Sequence, residues 1–214
     1  MGVKAKQTSW PVLVLVILAF VLWLKDHKRD LVAAIAGEEK AAAVDGRYER
    51  FEGCHLLENR RNDGDSFSVK FPNGRVEEMR LYFVDAPESA FKSYGGGRNN
   101  HDRIADQGRN LGVSSERAVE IGVEAKRFVH DRLKGESFTV FTEWDDPFGD
   151  HRYHAFVEMP DGGWLHEDLV ERGLVRIHTK GQDVPGGLRR DAQERHLKDL
   201  ESEARKSGRG VWGR

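Results

Sequence analysis

The chain has a single cysteine, Cys54, among its 214 residues. That excludes an internal disulfide and any zinc site built on several thiolates. An excess of positive charge is missing as well: 34 Lys and Arg stand against 36 Asp and Glu, for a formal net charge of −2. Lys4, Lys6, Lys25, Lys28 and Arg29 face only Asp26 and Asp30 in the first thirty residues, so the remainder is mildly acidic. A broad basic surface is thereby excluded, and any grip on a polyanion must come from a local cluster of Arg and Lys. Internal repeats and low-complexity tracts are also absent.

Long hydrophobic runs are limited to one, the fifteen residues from Trp10 to Leu24, flanked by Lys4 and Lys6 on one side and by Lys25, Asp26, His27, Lys28 and Arg29 on the other. It is apolar on every face, which fits a membrane-targeting segment better than a core helix. Fifteen residues are short for a span and long for a signal-peptide core, and Gln7, Thr8 and Ser9 can complete a slightly mismatched helix. The small-residue site Ala34-Ile35-Ala36 lies twelve residues beyond the run and across a charged patch, so an uncleaved anchor is favoured over a secreted form cut near Ala36. The basic amino terminus slightly outweighs the far flank, which favours an exported domain, periplasmic or extracellular. Residues 1–30 are thus read as a cytoplasmic stub and anchor, 31–46 as an Ala-, Glu- and Lys-rich linker, and 47–214 as one catalytic domain, expected to be monomeric.

Within that domain Phe67, Val69 and Phe71 alternate with polar residues, Pro72-Asn73-Gly74 supplies a turn, and Met79, Leu81 and Phe83 alternate on the returning strand. Lys92 to Val113, with Gly95-Gly96-Gly97 and little periodic apolar content, reads as a long surface loop. Ser114 or Ser115 then caps a helix whose stripe is Ala118, Ile121, Ala125, Phe128, Val129 and Leu133. Strands are expected over Phe138–Trp144, Tyr153–Met159 and Leu174–His178, a short helix over His166–Arg172, and a final amphipathic helix from Leu188 to about Lys206.

Chemistry concentrates at the ends of the first hairpin. Asp63-Gly64-Asp65-Ser66 opens it, and Arg80 to Glu88, reading Arg-Leu-Tyr-Phe-Val-Asp-Ala-Pro-Glu, closes it. Carboxylates that hold a hard cation, an arginine that grips a phosphate and a further carboxylate for proton work are the parts of a metal-assisted phosphodiesterase. Asp63 beside Gly64 is a turn-former in support. Cys54 reads as a small buried side chain.

Together with Phe148-Gly149 and Arg152, Leu169 to Leu174, and Gly210-Val211-Trp212, these motifs resemble the staphylococcal nuclease (thermonuclease) family over roughly residues 47–214. The resemblance implies an α+β fold, a five-stranded oligonucleotide-binding (OB-fold) barrel with about three packed helices, here behind an N-terminal transmembrane helix. It implies a calcium-dependent nuclease acting on DNA or RNA with little sequence specificity and leaving 3′-phosphate ends. Asp65, Asp85 and the carbonyl of Ala86 would ligate calcium, Glu88 would position or deprotonate the attacking water, and Arg80 and Arg152 would contact the scissile phosphate. The alternative is a catalytically silent domain of this fold that binds nucleic acid or protein. Ala86 stands where threonine is common in the family, Asp150 and His151 form an insertion before Arg152, and Phe148 or His178 would take over base stacking.

Overall fold

In a computed structural model, which describes residues 47–213, five strands close into a barrel in the order β1-β2-β3-β6-β5. These are β1 (Glu49–Leu56), β2 (Ser66–Lys70), β3 (Val76–Leu81), β5 (Phe138–Thr142) and β6 (Arg152–Glu158). A separate two-stranded ribbon joins β4 (Val84–Asp85) to β7 (Arg176–Ile177). The four helices are α1 (His101–Leu111), α2 (Ser115–Leu133), α3 (Leu165–Glu171) and α4 (Arg190–Lys206).

The barrel is closed by a parallel pairing of β3 with β6, while its other pairings are antiparallel. Phe67, Val69, Met79, Leu81, Val140 and Val157 fill it, as the alternation and register of the strands require. Cys54 is buried here; burial pushes its thiol up to about 11, and its Sγ lies 3.3 Å from the Phe51 carbonyl. It is a small core side chain.

The chain expected to continue as a strand to Phe83 stops at Leu81, because Phe83 adopts a left-handed backbone (φ 70°) and turns the chain into β4. The ring of Phe83 lies against Gly181, where a Cβ would come within 2.5 Å of it. The strand foreseen over Leu174–His178 is correspondingly short, since only Arg176 and Ile177 find a partner, in β4.

Helix α2 starts as its sequence signals: the Ser114 hydroxyl accepts a hydrogen bond from the Arg117 amide at 3.2 Å. Its buried stripe includes Ala118, Ile121, Ala125, Val129 and Leu133, with Phe128 half-buried beside it. Gly122 belongs to the same face. The final helix begins at Arg190, two residues after the expected Leu188.

Two expectations change. Residues 92–113 are not a loop but a 3₁₀ turn, Gly95–Gly97, followed by α1, which packs on α2 and ends at Gly112 in the left-handed conformation. Among the described residues the α-helices number four rather than about three. The anchor expected at residues 10–24 and the linker over 31–46 lie outside the described residues; among those described, no helix is long and apolar enough to cross a membrane.

Candidate active site

The site begins with a turn. Asp63 Oδ1 accepts the amides of Asp65 (3.3 Å) and Ser66 (3.0 Å), so Asp63 shapes the turn and Asp65 is left to face inward. Gly64 permits this because a Cβ there would stand 2.6 Å from Ala125 Cβ and 2.8 Å from Ala86 Cβ.

Asp65, Arg80 and Asp85 are all buried. Ser66 lies opposite Arg80 in the β2–β3 ladder and links it to Asp65. The Ser66 hydroxyl accepts from Arg80 Nε at 3.2 Å and donates to Asp65 Oδ1 at 3.0 Å. The other oxygen, Oδ2, accepts the Ala86 amide at 3.3 Å, which ties the hairpin to β4. Burial, and then the like charges of Asp63 and Asp85, raise the Asp65 carboxyl well above the usual carboxylate range, against the pull of Arg80.

Asp85 is oriented from one side. Its Oδ2 accepts Arg176 Nε at 2.7 Å from the paired strand and has Gln107 Nε2 at 3.5 Å, while Oδ1 has only the half-exposed Arg103 at 3.7 Å. Glu88 receives Asn100 Nδ2 at 3.2 Å and Lys92 Nζ at 3.5 Å on Oε2, and Arg103 Nε at 3.3 Å on Oε1. The loop bearing Glu88 rests on α2 at Gly122, where a Cβ would come within 2.5 Å of the Pro87 and Glu88 carbonyl oxygens. Ala86 is buried, and its carbonyl accepts Gln107 Nε2 at 3.2 Å.

Arg152 opens β6, across from Glu78 and beside β3. The inserted residues make a defined turn in which Asp146 accepts the amides of Asp150 (3.2 Å) and His151 (3.0 Å) and His151 has φ 61°. Asp150 holds the Arg152 guanidinium through both Nε and an Nη. Phe148, 66 % exposed, lies 5.7 Å from the Arg80 guanidinium. His178 is exposed and its amide donates to the Phe83 carbonyl at 2.8 Å.

The structure therefore brings together Asp65, Arg80, Asp85, Ala86 and Glu88, with Arg152 at the rim in the grip of Asp150. The arrangement is a buried acid pair with one arginine bonded into it through Ser66 and a third carboxylate beside it. A family model described as staphylococcal nuclease homologue matches residues 78–214. The chain belongs to the staphylococcal nuclease family. No curated protein matches it.

Sequence reading missed Asn100, Gln107 and Arg176, which with Arg103 surround these acids. Arg176 had a signal in the register Asp85↔Arg176, which sets opposite charges face to face once β4 and β7 pair. The other three ride on α1, whose inward positions are Ile104, Gln107 and Gly108. One aliphatic residue in three gives no apolar stripe to read.

Proposed function

We propose that this chain is a nuclease that hydrolyses phosphodiester bonds of DNA, RNA or both with the help of calcium, leaving 3′-phosphates. The observation that carries the reading is the convergence of Asp65 and Asp85, two buried carboxylates, beside Arg80 and Glu88.

The residues suit a hard cation. Two acids are buried side by side, and burial, then the charges of Asp63 and Asp85, disfavour the charged form of Asp65, a cost that a cation relieves. Among the described residues, no group of three or more His, Cys, Asp or Glu side chains is arranged to hold a metal. The donor set is thus two carboxylates, with water supplying further oxygens. Asp65 and Asp85 would hold calcium, with the Ala86 carbonyl as a further oxygen shared with Gln107. When bound, the ion supplies positive charge to the phosphate oxygens and to the attacking water.

The protein's own groups account for the rest. Glu88, within reach of solvent and held by Asn100, takes the proton of the attacking water. Arg80, fixed through Ser66, donates to the phosphate oxygens on which charge develops. Its proton is held too tightly for it to serve as the acid. Arg152 adds a second guanidinium once it leaves Asp150. Phe148, exposed beside Arg80, offers a face on which a base stacks. An anchor at residues 10–24, with the catalytic domain exported, completes the proposal.

A second reading, a silent domain that only binds nucleic acid or protein, draws on the pairing of Arg152 with Asp150 and of Asp85 with Arg176. Hydrolysis of single-stranded DNA and RNA by the full chain, with calcium and with chelator, separates the two. Calcium-dependent cleavage that disappears in Asp85→Ala and Glu88→Ala supports the nuclease. Binding without cleavage by the folded wild type supports the silent domain.

A further inference from the structure

Helix α1 supplies no group that the chemistry above places on the substrate or the cation, yet its side chains meet the segment that carries Asp85, Ala86 and Glu88 at every residue but proline. Gln107 is only 1 % exposed. Its Oε1 accepts the Glu88 amide at 3.0 Å, and its Nε2 donates to the Ala86 carbonyl at 3.2 Å and lies 3.5 Å from Asp85 Oδ2.

The match is one of chemical type. Between Ala86 and Glu88 stands Pro87, which has no N–H, so the segment turns one carbonyl and one amide toward α1. A carboxamide has one acceptor end and one donor end and satisfies both. A carboxylate would satisfy the Glu88 amide but would set a negative charge against the Ala86 carbonyl and Asp85. A thioether would leave both main-chain groups buried and unbonded. A second tie comes from Asn100, the N-cap residue of α1, which bonds Glu88 Oε2 (3.2 Å), the Ala90 carbonyl (3.0 Å) and the Lys92 amide (2.7 Å).

We propose that Gln107 is a positioning residue of the reaction: by bonding the backbone on both sides of Pro87 it sets the directions of Asp85 and Glu88, so that α1 is the second wall of the active site. The inference rests on the nuclease reading of those acids. Gln107 touches no substrate. Its effect falls on the geometry of the proton-accepting carboxylate and so on turnover rather than on substrate affinity.

The test compares the full-length wild type with Gln107→Met, Gln107→Glu and Ile104→Val. Ile104 is buried in the same helix and its side chain carries no group that can hydrogen-bond the acids' segment, so its truncation loosens α1 without removing the amide. Melting temperature, calcium affinity by calorimetry, and kcat and KM on single-stranded DNA are measured for each. In both Gln107 variants kcat falls about tenfold or more while KM stays within about twofold, because displacements of ~1 Å at a reacting group cost up to about 100-fold. Ile104→Val melts lower yet keeps its kcat. If Gln107→Met unfolds, the near-isosteric Gln107→Glu gives the same readout. Unchanged kcat in a folded Gln107 variant, or a kcat loss in Ile104→Val that follows its melting temperature in the same way, overturns the positioning role and leaves the nuclease standing. A wild type that binds calcium but cleaves nothing overturns the nuclease reading, and the positioning role with it.

Discussion

Asp150 and Arg152 form a closed pair at the rim of the site, with Asp150 accepting from Arg152 Nε at 2.9 Å and also from an Nη. The bonds from Arg152 hold the Asp150 carboxyl below its usual range, and Arg80 adds to the effect. Asp150 stands two residues before Arg152, so the guanidinium that would meet the phosphate is already neutralised by its neighbour. Asp150→Asn should free Arg152 and raise kcat/KM on single-stranded DNA several-fold at low salt. Arg152→Ala should cost less than Arg80→Ala, for which a loss of about 100-fold or more is expected from removing a donor to the developing charge. Steady-state kinetics of the three variants decide the matter. Equal losses for the two arginines, with no gain from Asp150→Asn, would show that the pair opens freely during turnover.

The second prediction concerns Gly122. Its missing side chain lets α2 touch the Pro87 and Glu88 carbonyls, and an alanine Cβ would press on main chain, which cannot swing aside as a flexible side chain would. Gly122→Ala gains helix propensity and still should destabilise by about 1–3 kcal/mol, because overpacking outweighs that gain of about 1 kcal/mol. A shift of the loop displaces Glu88 from its place in the site, so kcat should fall as well. Urea denaturation and single-turnover rates check both effects. A variant as stable and active as wild type would mean that the loop yields without cost.

Much of this architecture was legible beforehand, for identifiable reasons. Asp65, Arg80, Asp85 and Glu88 sit at the ends of strands whose alternation is written plainly in Phe67, Val69, Met79 and Leu81, so pairing β2 with β3 brings them together. Helix α1 was not legible because a buried glutamine and a buried glycine take the places where leucine or alanine would mark a helix face. The glutamine is there to meet the Asp85–Glu88 segment, and so one of the features that hid the helix is the one that connects it to the site. Gly112 was the available clue, since a glycine in left-handed conformation commonly ends a helix. The break at Phe83 left no mark either: a phenylalanine with positive φ is imposed by its contacts with Lys180 and Gly181, far away in sequence.

Asp65 supports a third prediction, about stability with and without cation. Its folded-state proton affinity is raised by burial and by Asp63 and Asp85. An acid with a raised folded value binds more protons in the native than in the unfolded state, so stability falls as pH rises above the ordinary carboxylate value. With chelator at pH 7, Asp65→Asn should therefore melt a few degrees above wild type. Calcium at about 100 times its Kd adds about 2.7 kcal/mol to a protein that binds it only when folded, and the asparagine variant should lose that increment. Melting curves in chelator and in calcium report both. A variant that melts lower in chelator yet keeps the calcium response would remove Asp65 from the cation site.

A fourth prediction comes from the far side of the core, where His166 on α3 is enclosed by the rings of Phe83 and Phe156 at 5.9 and 5.4 Å. The Gln193 amide donates to its Nε2 at 3.0 Å, which requires that nitrogen to be unprotonated. Burial pushes the imidazole down to about 4. A base whose folded value is depressed takes up its proton first in the unfolded chain, here near the ordinary value of about 6.5. Stability is therefore intact above about 6.5 and is lost as pH falls from there toward 4, by roughly 3 kcal/mol from this residue. His154, also buried and shifted down by burial, acts in the same direction. His166→Gln keeps an acceptor for Gln193 and cannot take up a proton. Whatever the variant does to stability at pH 7.5, the slope of unfolding free energy between pH 6.5 and 4 should flatten, as urea denaturation at a series of pH values will report. The same slope in variant and wild type would assign the acid sensitivity to other groups.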